Sequence, residues 1–132
     1  MADYYATIRS NYFKVKNKDA WKIFLRRWEL EELEADKKGL VGFTPSSLND
    51  KGTIESPPDD EDADFAKEVS QQLADGEVAI WMEVGNEKLR YVHGHAFAVN
   101  SKGKYKTVNL SDIYERATKL TDNPKKITYC EY

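Results

Sequence analysis

The stretch EVAIWMEVGNEKLRYVHGHAFAVNSKGKYKTV, residues 77–108, decides the fold. Its runs of Val, Ile, Trp, Tyr and Phe are typical of β-strands, and the segments GNEK and NSKG are typical of tight turns between antiparallel strands. The stretch therefore predicts a three-stranded antiparallel meander over about 77–109.

The first turn of the meander determines which side chains share a face. A two-residue or four-residue loop within GNEK pairs Val84 with Leu89. The two histidines of the chain, His93 and His95, then lie on the apolar face of the sheet with Met82, and no Asp, Glu or Cys lies beside them. Zinc sites take three or four protein ligands. We therefore expect both imidazoles to be structural, with no metal ligand, no cofactor and no catalytic residue.

Three amphipathic helices are predicted around the meander, over about 18–36, 57–75 and 111–121. Their buried stripes are formed by apolar residues three or four positions apart: Trp21, Phe24, Leu25 and Trp28 in the first, Phe65, Val69 and Leu73 in the second, and Ile113, Ala117 and Leu120 in the third. Ser56 is the expected N-cap of the second helix.

Further strands are expected in the segments YYATIRSNYFKVK (4–16), LVGFTPSSLNDKGTIES (40–56) and KITYCEY (126–132). Strands and helices do not alternate strictly, as they would in a parallel α/β sheet. The sequence therefore predicts one α+β domain over 1–132, in which an antiparallel sheet with a central β-meander is packed by three helices.

Composition and motifs exclude several classes of protein. A single cysteine, Cys130, allows no intrachain disulfide, and no secretory leader or long apolar run is present, so we expect a cytoplasmic protein that does not enter membranes. The chain lacks G-x-G-x-x-G, P-loop, C-x-x-C and H-E-x-x-H motifs. Cys130 also lacks the flanking signature of a catalytic nucleophile. We expect that the protein is not an enzyme.

The charged residues are distributed unevenly. Residues 29–87 carry 17 acidic and four basic residues, a balance of −13, whereas the rest of the chain carries 16 basic and six acidic residues, a balance of +10. The densest acidic run exceeds what a helix N-terminus requires, and it consists of Asp59, Asp60, Glu61, Asp62, Asp64 and Glu68. Asp60, Asp64 and Glu68 are expected to share an exposed helix face. Such a surface favours a protein partner with a basic surface.

Two alternatives remain open. The basic residues near the N-terminus and on the meander suit a nucleic-acid-binding accessory protein that follows a phosphate backbone: Arg9, Lys14, Lys16, Lys18, Lys22, Arg26, Arg27, Lys102, Lys104 and Lys106. The second alternative is a metal-dependent enzyme that uses His93 and His95, with further ligands from elsewhere in the chain.

The segments RSNYFKVKNKDAW (9–21), GEVAIWMEVGNEKLRYVHGHAFAVNSKGK (76–104) and LSDIYERA (110–117) resemble a group of small uncharacterised proteins of bacterial plasmids, integrating elements and phages. The resemblance implies a mobile-element protein, a class in which small acidic proteins often block host defences such as restriction or CRISPR nucleases. It implies no catalytic residue. The sequence thus favours a non-enzymatic protein-interaction module that inhibits a host defence complex through an acidic surface.

Overall fold

The computed structural model describes residues 4–88 and 90–130. Within them the elements are β1 Tyr5–Ser10, α1 Lys18–Arg27, β2 Leu30–Glu34, β3 Val41–Pro45, α2 Phe65–Gln72, β4 Val78–Glu87, β5 Tyr91–Asn100, β6 Tyr105–Asn109 and α3 Asp112–Ala117, followed by 3₁₀ turns at Thr118–Leu120 and Pro124–Lys126. This combination of helices and antiparallel strands confirms the predicted α+β fold.

A four-stranded antiparallel sheet with the strand order β1-β4-β5-β6 forms the centre of the molecule, and β2 and β3 form a separate hairpin. The hairpin lies against the edge strand β1. Ser10 Oγ accepts a hydrogen bond from the Phe43 N–H at 2.7 Å, and Thr44 Oγ1 donates to the Ile8 carbonyl at 2.8 Å. These two hydrogen bonds hold the hairpin against β1.

Aromatic rings fill the space between the sheet, the hairpin and the helices. The centroids of Trp21 and Phe24 are 5.4 Å apart, and the Phe65 ring contacts those of Phe24, Phe43 and Trp81 at 5.3–5.8 Å. Each such ring buries a large apolar area. The predicted anchors on α1 and α2 are therefore confirmed, and they pack against one face of the sheet, called here the packed face.

The first helix is shorter than predicted. It begins at Lys18, where the Asn17 side chain accepts a hydrogen bond from the Ala20 N–H, and it ends at Arg27 instead of residue 36. Glu29 has a positive φ of 54°, which reverses the chain direction. Leu30 is buried and starts β2, so the prediction of helix over 28–36 is wrong.

The second helix begins at Phe65 instead of about residue 57. Asp64, and not Ser56, is its N-cap, and the Asp64 side chain accepts a hydrogen bond from the Lys67 N–H at 3.2 Å. Residues 57–62 form turns, with Pro57 buried. Asp60 is therefore outside the helix that was expected to align it with Asp64 and Glu68.

The C-terminal part confirms a third helix, but its packing was predicted incorrectly. Ile113 and Leu120 were expected to face inward, and their exposed fractions are 59% and 88%. The predicted strand 126–132 is absent over 126–130, and residues 131–132 lie outside the described residues. Likewise, only Val41–Pro45 forms a strand in the segment 40–56, where two short strands were predicted.

The three strands of the meander are confirmed, but the register between β4 and β5 differs from the prediction. β4 continues through Glu87, which pairs with Tyr91, so the loop holds three residues. Val84 therefore pairs with Gly94, whereas its predicted partner, Leu89, lies outside the described residues. A three-residue loop replaces an even-numbered one, and this change turns the side chains of β5 to the opposite face relative to those of β4.

Candidate functional site

The observed register brings both histidines to the packed face beside a carboxylate. His95 lies directly opposite Glu83 on β4, and His93 lies diagonally across from it, opposite Gly85. The expectation that no acidic residue adjoins the imidazoles is wrong, because it rested on the other register. Glu83, His93 and His95 form a half-buried cluster, called here the His–Glu cluster.

The nitrogen and oxygen atoms of the His–Glu cluster converge. His93 Nε2 lies 3.0 Å from His95 Nδ1 and 3.5 Å from Glu83 Oε2. The three potential ligand atoms all lie within 4.8 Å of one another. Two imidazoles and one carboxylate at such distances can share a proton or hold a cation.

Tyr4 positions the carboxylate of the cluster. Its hydroxyl donates a hydrogen bond to Glu83 Oε2 at 2.9 Å, and its ring packs edge-on against His93 with centroids 5.9 Å apart. Gly85 permits this approach, because a Cβ at that position would collide with the Tyr4 ring and would lie 2.6 Å from the Tyr5 carbonyl oxygen. The Tyr4 ring also stacks on Tyr91 at 6.2 Å.

The two tyrosines hold their protons more tightly than free tyrosine does. Burial raises the pKa of Tyr4 well above its ordinary value, and the hydrogen bond to the negatively charged Glu83 raises it further. Burial and the charge of Glu87 raise the pKa of Tyr91. Tyr4 therefore remains a hydrogen-bond donor to Glu83 at neutral pH.

The predicted acidic run is only partly available to a partner. Glu68 accepts hydrogen bonds from Arg27 Nε and from the indole N–H of Trp28, both at 2.9 Å, and Asp60 pairs with Arg27 at 2.9 Å. Asp64 caps α2. The exposed acids of this run that have no such contact are Asp59, Glu61 and Asp62.

Two of the predicted basic residues make contacts within the chain. Arg27 is held by Glu68 and Asp60, and the Arg9 guanidinium donates to the Tyr12 hydroxyl at 2.6 Å. Lys102 and Lys104 lie in the turn between β5 and β6. The remaining lysines of the set are exposed.

The face of the sheet opposite the packed face, called here the open face, was not predicted as a functional surface. Apolar side chains from all four strands point to it and keep 44–64% of their surface exposed: Tyr5, Val78, Met82, Val84, Val92 and Val108. Leu110, 59% exposed, lies over Gly94 on the same face. The signal was in the sequence, since the apolar residues Val78, Ile80, Met82 and Val84 occupy alternate positions along β4.

A groove of about 450 Å³ runs across one end of the open face, and its lining includes Tyr5, Thr7, Val84, Val92 and Leu110. The described strand residues that carry charge on this face are Arg9 and Lys106. No acidic side chain from the described part of the four strands points to it.

Comparisons with known proteins gave no match: no family model, no curated protein and no solved structure resembles this chain significantly. Among the described residues, no helix is long and apolar enough to cross a membrane.

Proposed function

We propose that this chain is a protein-binding module, not an enzyme, and that it docks its partner on the open face. The observation that carries the proposal is the row of half-exposed apolar side chains contributed by all four strands. The solvent-facing side of an antiparallel sheet is ordinarily polar. A contiguous apolar surface of this kind on a folded domain typically marks a protein interface.

The charges on the open face favour a particular kind of partner. Arg9 and Lys106 flank the apolar residues, and no acidic side chain of the described strand residues accompanies them. A second copy of the chain would bring these cations close to their own counterparts, which costs free energy. The proposed partner is therefore a different protein, with an apolar contact surface surrounded by acidic residues.

The resemblance to proteins of bacterial mobile elements supports the choice of partner. It makes components of host restriction or CRISPR complexes the first proteins to test, and inhibition of such a complex by the bound module is the proposed outcome. The exposed acids Asp59, Glu61 and Asp62 are the rival docking site, which would suit a partner with a basic surface, as the sequence suggested.

One double variant and one triple variant distinguish these two surfaces. Val84→Lys with Val92→Lys places two charges in the groove of the open face, and Asp59→Lys, Glu61→Lys and Asp62→Lys reverses the exposed acids. All five positions are exposed, so both variants should fold, which circular dichroism and thermal unfolding verify. Purified candidate nuclease components are then tested for binding by surface plasmon resonance and for inhibition of cleavage.

Loss of binding and of inhibition in the valine variant, with both retained in the acid variant, supports docking on the open face. The reverse result assigns docking to the acidic residues and overturns the proposal for the sheet. A wild-type dimer in light scattering that becomes monomeric in the valine variant would assign the open face to a second copy. Salt-sensitive binding of DNA would favour the nucleic-acid alternative.

A further inference from the structure

We propose that Glu83, His93 and His95 bind one divalent transition-metal ion, and that Zn²⁺ fits the site. The expected ligand atoms are the carboxylate of Glu83, Nε2 of His93 and Nδ1 of His95, which converge on the packed face of the sheet. This inference is independent of docking on the open face, because the ligands point to the other side of the sheet.

The distances between the potential ligand atoms agree with zinc coordination. Zinc binds imidazole nitrogen and carboxylate oxygen at about 2.0–2.2 Å, so ligands around a tetrahedral ion lie about 3.3 Å apart. In the cluster, His93 Nε2 is 3.0 Å from His95 Nδ1 and 3.5 Å from Glu83 Oε2. The third separation, between Glu83 and His95, is no greater than 4.8 Å and would have to shorten on coordination.

The chemical identity of the ligands points to the same class of ion. Imidazole nitrogens suit zinc, copper, iron and nickel, whereas calcium and magnesium prefer sites built from oxygen alone. Two imidazoles and one carboxylate form the zinc-binding set of several hydrolytic enzymes and leave one coordination position for water. The cluster thus matches a borderline transition metal and not a hard cation.

The surrounding residues orient the ligands as they do around known metal sites. The Tyr4 hydroxyl donates to Glu83 Oε2 at 2.9 Å and so fixes the carboxylate. Hydrogen bonds of this kind to a metal-binding carboxylate commonly raise metal affinity. All three ligands lie on paired strands, β4 and β5, which hold them within a rigid frame.

An ion can reach the cluster from solvent. The side chain of His93 is 40% exposed. His93 also lies at a groove of about 530 Å³ between β5 and the start of α3, whose lining includes Tyr91 and Tyr114.

The test uses the full chain, prepared without a histidine tag, stripped with EDTA and dialysed into metal-free buffer. Titration calorimetry with Zn²⁺ should give one equivalent per chain, and a tenfold molar excess of Mg²⁺ should not compete. The variants Glu83→Gln, His93→Gln and His95→Gln should each weaken zinc binding by more than about 100-fold. Glu87→Gln is the matched control, because Glu87 lies on the same strand and face but outside the cluster.

A wild-type measurement keeps the test decisive if a variant fails to fold. The chain has two histidines, so a nitrogen-15 spectrum of the imidazole rings reports on the cluster alone. On addition of Zn²⁺, the Nε2 resonance of His93 and the Nδ1 resonance of His95 should move to metal-bound positions, while the other two ring nitrogens remain protonated.

Several outcomes would overturn the proposal. These are the absence of zinc binding at micromolar concentrations, unchanged imidazole resonances, or equal weakening by Glu87→Gln and the ligand variants. Zinc binding that persists in Glu83→Gln would show that the Glu83 carboxylate is not a ligand. A proton shared by His93 and His95 that zinc does not displace would identify the cluster as a hydrogen-bonded pair.

Discussion

Glu68 on α2 connects this helix to the end of α1 through three hydrogen bonds. Its carboxylate accepts from Arg27 Nε, Arg27 Nη2 and the indole N–H of Trp28, and the Trp28 side chain is buried. Glu68→Ala leaves the Trp28 donor without its acceptor, so we expect it to lower the free energy of unfolding by about 1–3 kcal/mol in urea denaturation. Glu61→Ala, at an exposed position, should change it by less than about 0.5 kcal/mol. Equal effects would contradict this role.

The same carboxylate should make stability depend on pH. The hydrogen bonds from Arg27, and then from Trp28, hold the pKa of Glu68 below its ordinary value in the folded state. A lowered folded pKa contributes stability above the unfolded pKa of about 4.3, and this contribution is lost as the pH falls through the folded pKa. The stability difference between wild type and Glu68→Gln should therefore be largest near neutral pH and decrease as the pH falls through the folded pKa. Urea titrations across this range measure it, and a constant difference would refute the assignment.

Gly85 is the residue on which the position of Tyr4 depends. A methyl group there would meet the Tyr4 ring and the Tyr5 carbonyl oxygen, and a backbone contact at 2.6 Å cannot be relieved by a side-chain rotation. We expect Gly85→Ala to cost about 1–3 kcal/mol of unfolding free energy. Asn86→Ala, one position along and exposed, is the control. An unchanged stability for Gly85→Ala would show that Tyr4 does not lie over this residue.

At the scale of elements, the end of α1 shows why its length was predicted incorrectly. The segment LEELEADKK, residues 30–38, has high helix propensity, which favoured one helix through residue 36. Tertiary contacts override this preference. Leu30 is buried when β2 pairs with β3, and Trp21 donates its indole N–H to Glu32 Oε1 at 2.9 Å. No local signal in the sequence marks these contacts.

The reversal of chain direction at Glu29 gives a direct test of that boundary. A residue with a side chain at φ 54° carries backbone strain of about 1–2 kcal/mol, which glycine does not have. Glycine in turn costs about 0.5–1 kcal/mol, because it loses more conformational freedom on folding. We expect Glu29→Gly to raise the free energy of unfolding by about 0.5–1 kcal/mol. Lys22→Gly, in the exposed middle of α1, should lower it by about 1 kcal/mol. If both lower it, the helix does not end at this residue.

The meander illustrates how far strand prediction reaches. The three strands and the NSKG turn were predicted correctly, because β-branched and aromatic residues alternate with clear turn residues. The length of the loop between β4 and β5 was predicted incorrectly. Because the loop has an odd number of residues instead of an even one, the side chains of β5 lie on the opposite face relative to those of β4. Pairing of aromatic residues is a better criterion for the register between β4 and β5. The observed register pairs Trp81 with Phe97, whose ring centroids are 4.8 Å apart in a stacked arrangement.

At the scale of the whole molecule, the candidate site depends on that register. The order of the predicted strands and helices predicted the class of fold, and the apolar stripes of the first two helices predicted the core, since burial of large aromatic residues depends little on register. The His–Glu cluster and the open face could not be predicted in the same way. Both arise from which side chains of β4 and β5 share a face, and this is a non-local property.

The segment 111–130 lies at the surface of the molecule. Among residues 111–130, none is buried, and Tyr114 and Tyr129 pack against each other with ring centroids 4.6 Å apart. Because removal of this segment exposes little apolar surface of the sheet, we expect a chain that ends at Leu110 to unfold within about 1 kcal/mol of the full chain in urea. Phe43→Ala, at a fully buried position, should cost about 3–5 kcal/mol in the same assay. A loss comparable with that of Phe43→Ala would mean that the segment contributes to the core, and the boundary of the folded unit would have to be moved to include it.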